Sequence, residues 1–134
     1  MSSSVAIDSA VVTWTCEICG SAIADGEGYV AMSFAELHAN DRAVKSWEER
    51  NAGRGFMPVK DFISYPTAVR WHVLHAACDP DLDASSYWFP IERMRTPADV
   101  IARSAHLLGK RWIQATDWDA LLRDVAARLG GHEL

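Results

Sequence analysis

The sequence predicts an α+β protein: a small β core, one helix inserted into it, and a C-terminal two-helix segment. Three observations carry that expectation. Short β-branched and aromatic runs alternate with Gly and Asp turn signals over residues 10–92. Two capped helical patterns fill residues 96–130. The three cysteines and His75 fall into two pairs, Cys16-x-x-Cys19 and His75-x-x-Cys78, a spacing by which small β cores clasp a metal ion. At 134 residues the chain fits one domain, or a small domain with an appendage.

Taken in order, residues 1–9 are Ser-rich and are expected to form a flexible N-terminus. Residues 10–15, Ala-Val-Val-Thr-Trp-Thr, read as a strand. Cys16 to Gly20 is a tight turn, and Asp25 to Gly28 is a second. Tyr29 to Phe34 alternates as a strand does. Residues 36–52 are polar and rich in helix formers, with Leu37, Val44 and Trp47 as sparse apolar positions, and read as a short helix. Met57 to Tyr65 lies between two prolines and favours no one element. Ala68 to His75 reads as a strand, Asp79 to Ser86 as an acidic connection, and Tyr87 to Ile91 as a short strand or packed loop.

The last third has clear helix signals. Thr96 is an expected N-cap, with Pro97 at the first helical position. Val100, Ile101, Ala105, Leu107 and Leu108 then form an apolar stripe that Gly109 ends. Thr116 is expected to cap a second helix, with Asp117 and Asp119 complementing its dipole. Trp118, Leu121, Leu122, Val125 and Leu129 follow at helical spacing, and the two helices are expected to pair as a hairpin on the core.

The net charge of −5 is unevenly spread. Residues 1–38 hold five acids and no Lys or Arg. Duplex binding rests on clustered cations that neutralise phosphates, and this chain has no general surplus. A local basic set remains in Arg93, Arg95, Arg103, Lys110 and Arg111, where nucleic acid is the alternative partner. The excess of Arg over Lys, with abundant Ala, is common in proteins of GC-rich bacteria and their phages. No apolar run approaches the roughly 20 residues of a membrane span. Met1 to Ser4 has no basic cluster before an apolar core, so a cytoplasmic protein without a signal peptide is expected.

Together, Cys16, Cys19, His75 and Cys78 make a Cys3His set, a complete tetrahedral shell for one structural Zn2+. Two intervening residues let one tight turn aim both side chains of a pair at the same ion. The set uses every cysteine, which leaves no spare thiol. His72 and Asp79 are the competing fourth ligands. His72 lies three residues before His75, so on one strand the two point to opposite faces. His38, His106 and His132 read as surface residues.

The order of knuckle, hairpin, strand and helical turn resembles a treble-clef zinc finger over residues 14–80. Trp71 running into His75-x-x-Cys78 is similar to the first site of a LIM domain. The gap between pairs is longer than in LIM domains, and no second ligand set follows, so the resemblance is to a single LIM-like finger. It implies a zinc-stabilised treble-clef core over residues 10–92 in which Cys16, Cys19, His75 and Cys78 are structural ligands. Treble clefs serve protein binding, nucleic-acid binding and nuclease chemistry alike.

Four protein ligands leave no open position for a metal-activated water, so no enzyme is expected. The deaminase order of His-x-Glu before Pro-Cys-x-x-Cys is absent. A treble-clef nuclease would need a catalytic His near the hairpin, a place only His72 approaches. Six tryptophans in a chain of this size are an excess. Trp14, Trp71 and Trp118 are expected in the core, while Trp47 and Trp88 are the candidates for a protein interface. The leading expectation is a non-enzymatic protein-interaction module or adaptor. A nucleic-acid-binding regulator comes second and a nuclease-like enzyme third. The partner and the oligomeric state are not set by the sequence.

Overall fold

The computed structural model describes residues 11–53, 65–79 and 86–130. The expected N-terminal flexibility, most of the Met57–Tyr65 stretch, most of the acidic connection and His132 lie outside the described residues.

The fold is α+β. Three antiparallel strands form one sheet in the order β2-β1-β3. β1 (Gly28–Ser33) is central, with β2 (His72–His75) and β3 (Ser86–Pro90) on its two sides. Gly28 pairs with His75 at the site end of the sheet, and Val30 pairs with both Val73 and Phe89. β1 is buried along most of its length, because both edges and both faces are covered. At its end the chain turns straight into helix α1 (Phe34–Arg50), where the Ser33 hydroxyl caps the helix by accepting the Glu36 N–H. The hairpin expected directly after the first cysteine pair is therefore absent, and β1 finds β2 only after the inserted helix.

Two strand expectations are corrected. Over residues 11–15 the burial alternates, with Val12 and Trp14 in and Val11, Thr13 and Thr15 out. No ladder forms, only an isolated bridge from Thr15 to Ala22. The tight turn at Cys16 limits the pairing, and Val12 sends its N–H to the Arg95 carbonyl instead. Residues 68–71 likewise stay out of β2. Val69 bridges Thr116, and the Trp71 N–H goes to the Asp117 carboxylate.

The C-terminal segment contains α2 (Pro97–Leu108), a 3-10 helix (Arg111–Ala115) and α3 (Trp118–Arg128). Thr96 and Asp99 form a reciprocal capping box on α2. Asp117 takes the N-cap position of α3 without a side-chain cap, and the expected capping by Thr116 survives in part: its buried hydroxyl accepts the Trp118 N–H at 3.4 Å, while it also donates to the Ile113 carbonyl and accepts the indole N–H of Trp71. The 3-10 helix separates α2 from α3, which are tied by the Trp118 indole N–H donating to Ser104. The apolar stripe expected on α2 divides: Val100 and Leu107 are buried, whereas Ile101 and Leu108 face solvent.

One apolar cluster runs from Val12 to Val125 and unites the described parts of the chain. Trp71 is its hub, with ring centroids of Trp118, Tyr87, Phe89 and Trp112 at 5.0 to 6.2 Å. No helix among the described residues is long and apolar enough to cross a membrane.

Candidate metal centre

The first ligand pair sits on a turn built by its own backbone. Cys16 accepts the Gly20 N–H at its carbonyl and donates its N–H to Ser21. Gly20 closes the turn at φ 77°, a left-handed conformation that costs other residues about 1–2 kcal/mol. The second pair leaves the end of β2. His75 is the last strand residue, and Cys78 is carried by the 3-10 helix Ala76–Cys78. Antiparallel pairing of β2 with β1, together with the Glu17–Val73 contacts described below, brings the two pairs together across more than fifty residues.

The Sγ atoms of Cys16, Cys19 and Cys78 and a ring nitrogen of His75 all lie within 4.8 Å of one another, so the four could hold one metal ion. His75 Nδ1 faces Cys19 Sγ at 3.2 Å and Cys78 Sγ at 4.0 Å. A tetrahedral zinc with ordinary Zn–S and Zn–N bonds has S–N edges of about 3.5 Å, midway between these values. The other ring nitrogen, Nε2, lies 3.0 Å from the Ala22 carbonyl. A carbonyl only accepts, so Nε2 carries the proton and Nδ1 presents its lone pair to the cluster. Metal-binding imidazoles are oriented in this way.

Cys16 is buried, and its sulfur accepts the N–H groups of Ile18 and His75, each at 3.4 Å. Burial pushes its thiol up, but the backbone N–H donors outweigh that effect and bring it down to about 6. The Ser21 N–H holds the Cys19 thiol below its ordinary value. Burial raises Cys78 to about 11, helped by the neighbouring sulfurs of Cys16 and Cys19. Contact with Cys19 raises His75. Without a cation, then, the cluster resists carrying three thiolates at once. A divalent ion would supply the missing charge and leave a site of net charge about −1, which the two N–H donors on Cys16 help to offset.

The competing ligands lie elsewhere. The His72 ring is held between carboxylates, with Nδ1 2.9 Å from Glu17 and Nε2 3.9 Å from Glu36. Asp79 accepts the Tyr29 hydroxyl at 2.7 Å. His38 and His106 are exposed, as expected.

Sequence reasoning missed Glu17. From inside the first cysteine pair, its carboxylate accepts the Val73 N–H while its own N–H donates to the Val73 carbonyl. Glu17 thus covers the outer edge of β2 and locks the turn to the strand that carries His75. An acid between the two cysteines is the only local signal of this role. Gly28, which reads as a turn residue in the sequence, is held in close quarters. A Cβ there would press into the Leu74 carbonyl oxygen and lie 2.7 Å from the Ile23 side chain.

Four of the five tryptophans assigned from the sequence lie where expected, whereas Trp47, a candidate for the interface, is buried instead. Trp14, Trp71 and Trp118 are buried, and Trp88 is half exposed, edge-on to Tyr29. Trp47 is buried, with its ring against Tyr65. Three of the five basic residues between Arg93 and Arg111 are tied into the fold. Arg95 pairs with Asp25 and donates to the Ile23 carbonyl. Arg103 lies over Phe89 and Lys110 over Tyr87.

No protein-family model, curated protein or solved structure matches the chain.

Proposed function

We propose that this chain is a non-enzymatic protein-interaction module whose fold is clasped by one structural Zn2+ on Cys16, Cys19, His75 and Cys78. The observation that carries the reading is the convergence of those four donors, with the imidazole already oriented by Ala22. Soft thiolates with one imidazole suit zinc, and four protein ligands close its shell, which fits a structural role rather than hydrolysis. The treble-clef reading is supported by the sequence of a cysteine turn, the β1–β2 pair and a helical turn bearing Cys78, with α1 taken as an insertion.

An adaptor is favoured over its rivals on particular residues. Trp88 offers an exposed aromatic anchor beside the sheet, of the kind that dominates binding interfaces. The nucleic-acid reading needs a free basic face, yet Arg95, Arg103 and Lys110 are engaged with Asp25, Phe89 and Tyr87. The nuclease reading needs His72 aimed at an open metal position, and its ring is taken up by Glu17 and Glu36.

Elemental analysis of the purified chain, with a partner pull-down read by mass spectrometry, tests both halves. Stoichiometric zinc and a protein partner lost in Trp88→Ala are the expected results. Three freely titrating thiols with no bound metal would remove the metal claim. Salt-sensitive DNA binding lost on changing Arg103, Lys110 and Arg111 to Ala would replace the adaptor by the nucleic-acid reading.

A further inference from the structure

The four donors of the metal cluster differ in what solvent can reach. Cys16 is 1% exposed, and its sulfur accepts the backbone N–H groups of Ile18 and His75. His75 and Cys78 are half-buried. Cys19 is exposed, in the middle of a run, residues 17–22, that faces solvent throughout. An oxidant arriving from solution therefore meets the Cys19 sulfur first. The same turn carries a second sulfur for it to pair with. The Cys16 and Cys19 sulfurs are within 4.8 Å of each other, on the turn that the Cys16 carbonyl and the Gly20 N–H close. A disulfide needs them at about 2.05 Å, an approach that side-chain rotation within one turn supplies. Cys78 belongs to a different element and is fixed on both sides. The Ala76 N–H donates to the Glu27 carbonyl before it, and Asp79 accepts the Tyr29 hydroxyl after it.

We propose that the cysteine turn is a thiol switch on the metal site: a peroxide converts Cys16 and Cys19 into a disulfide, and the cluster then gives up its ion. The inference rests on the metal-site reading above and adds a regulation to it. First, the Cys19 thiolate attacks one oxygen of the peroxide, the O–O bond breaks, and hydroxide leaves with the electron pair. Cys19 is then a sulfenic acid. Next, the Cys16 thiolate attacks that sulfur, the S–S bond forms, and the sulfenic oxygen leaves as a second hydroxide. Two protons from solvent turn both hydroxides into water. The two sulfurs lose two electrons, and the peroxide gains them. A thiolate is a metal ligand and a disulfide is not, so only His75 and Cys78 remain of the four donors that a closed zinc shell takes. All three cysteines of the chain belong to the cluster, so no thiol elsewhere in it intercepts either step, and Cys78 ends as the one remaining thiol. A dithiol reductant reverses the change by restoring both thiols.

The test treats the zinc-loaded full chain with hydrogen peroxide in the presence of a coloured zinc indicator. One zinc per chain is released, at the rate at which two of the three thiols are lost. Tryptic digestion assigns the change to residues. Arg42 is the first cleavage site after Cys16 and Cys19, whereas Arg70 and Arg93 bound the peptide that holds Cys78. The N-terminal peptide becomes two hydrogens lighter and resists alkylation, while the Cys78 peptide is still alkylated. Dithiothreitol followed by zinc restores the thiols and the bound metal. Zinc and all three thiols surviving a large excess of peroxide overturn the proposal. A disulfide that joins the N-terminal peptide to the Cys78 peptide overturns it too, as does irreversible oxidation of Cys19 before any disulfide forms. In each of those results the chain held its metal at the start, so the metal-site reading stands without this switch. A chain that holds no metal as purified removes that reading and this inference together.

Discussion

Two residues beside the cluster show how closely the site is built into the sheet. Gly28 pairs with His75, and the space where its Cβ would stand is occupied by the Leu74 carbonyl and the Ile23 side chain. Both obstacles are fixed, one being backbone and the other a buried side chain. Gly28→Ala is therefore expected to destabilise the chain by about 1–3 kcal/mol, the ordinary cost of overpacking, and to weaken metal retention through His75. Urea unfolding of the metal-loaded variant measures the first effect, and an unchanged midpoint would contradict it. Tyr29 acts on the other pair. Burial, then the Asp79 carboxylate that accepts its hydroxyl, raises its pKa. A raised folded value means that folding favours the neutral phenol. That stabilisation is complete below the unfolded tyrosine pKa of about 10 and is lost as pH rises beyond it. Stability followed from pH 8 upward is expected to hold and then fall, and Tyr29→Phe to flatten the fall. A decline equally steep in the variant would assign the alkaline loss to another group.

At the scale of elements, what the sequence reveals depends on how local its signal is. The start of α2 is legible because Thr96, Pro97 and Asp99 act on backbone within one turn. Thr96→Ala removes the acceptor for the Asp99 N–H and is expected to cost about 1 kcal/mol, seen as a lowered thermal midpoint with the metal retained. No change in midpoint would mean that packing by Val100 and Leu107 alone sets the helix start. Thr116 has an equally good local signal and its hydroxyl does reach the Trp118 N–H, but it also binds Trp71, a partner far away in sequence, and Asp117 takes the N-cap position. The same logic shortens β2. Val69 and Trp71 have strand propensity, yet the chain around Thr116 and Asp117 takes their hydrogen bonds before β1 can. Residues 11–15 keep the alternation of a strand and lack only a long enough neighbour. The ligand set was legible because a two-residue spacing is a local rule. The groups that orient and latch it, the Ala22 carbonyl and Glu17, are supplied by tertiary structure, and no spacing encodes them.

For the whole molecule, the question is how much of the fold depends on the ion. The aromatic cluster around Trp71 joins the sheet to all the C-terminal elements without any metal. The N-terminal segment is held at several points besides its cysteines. The Trp14 indole donates to the Met94 carbonyl, the Val12 N–H to Arg95, and Arg128 to the Thr13 carbonyl. Against these contacts stands the size of the metal term. Structural zinc binding contributes an apparent 10–16 kcal/mol or so near neutral pH, whereas a domain's net stability is about 5–15 kcal/mol. The first quantity matches or exceeds the second, so removing the ion is expected to unfold the chain rather than loosen one end of it. Metal loss also leaves Cys16 buried near its neighbouring thiols, with two N–H donors holding it toward the thiolate form. Strong chelation at neutral pH should therefore produce a cooperative loss of helical circular dichroism together with a red shift of tryptophan fluorescence. Zinc should reverse both. Cys16→Ser should resemble the chelated chain even with zinc added, while Trp88→Ala, altering only an exposed ring, should keep the metal and the melting temperature. If metal removal verified by elemental analysis left the melting temperature unchanged, the aromatic cluster would be the true source of stability. The four converging side chains would then need a role other than holding the fold.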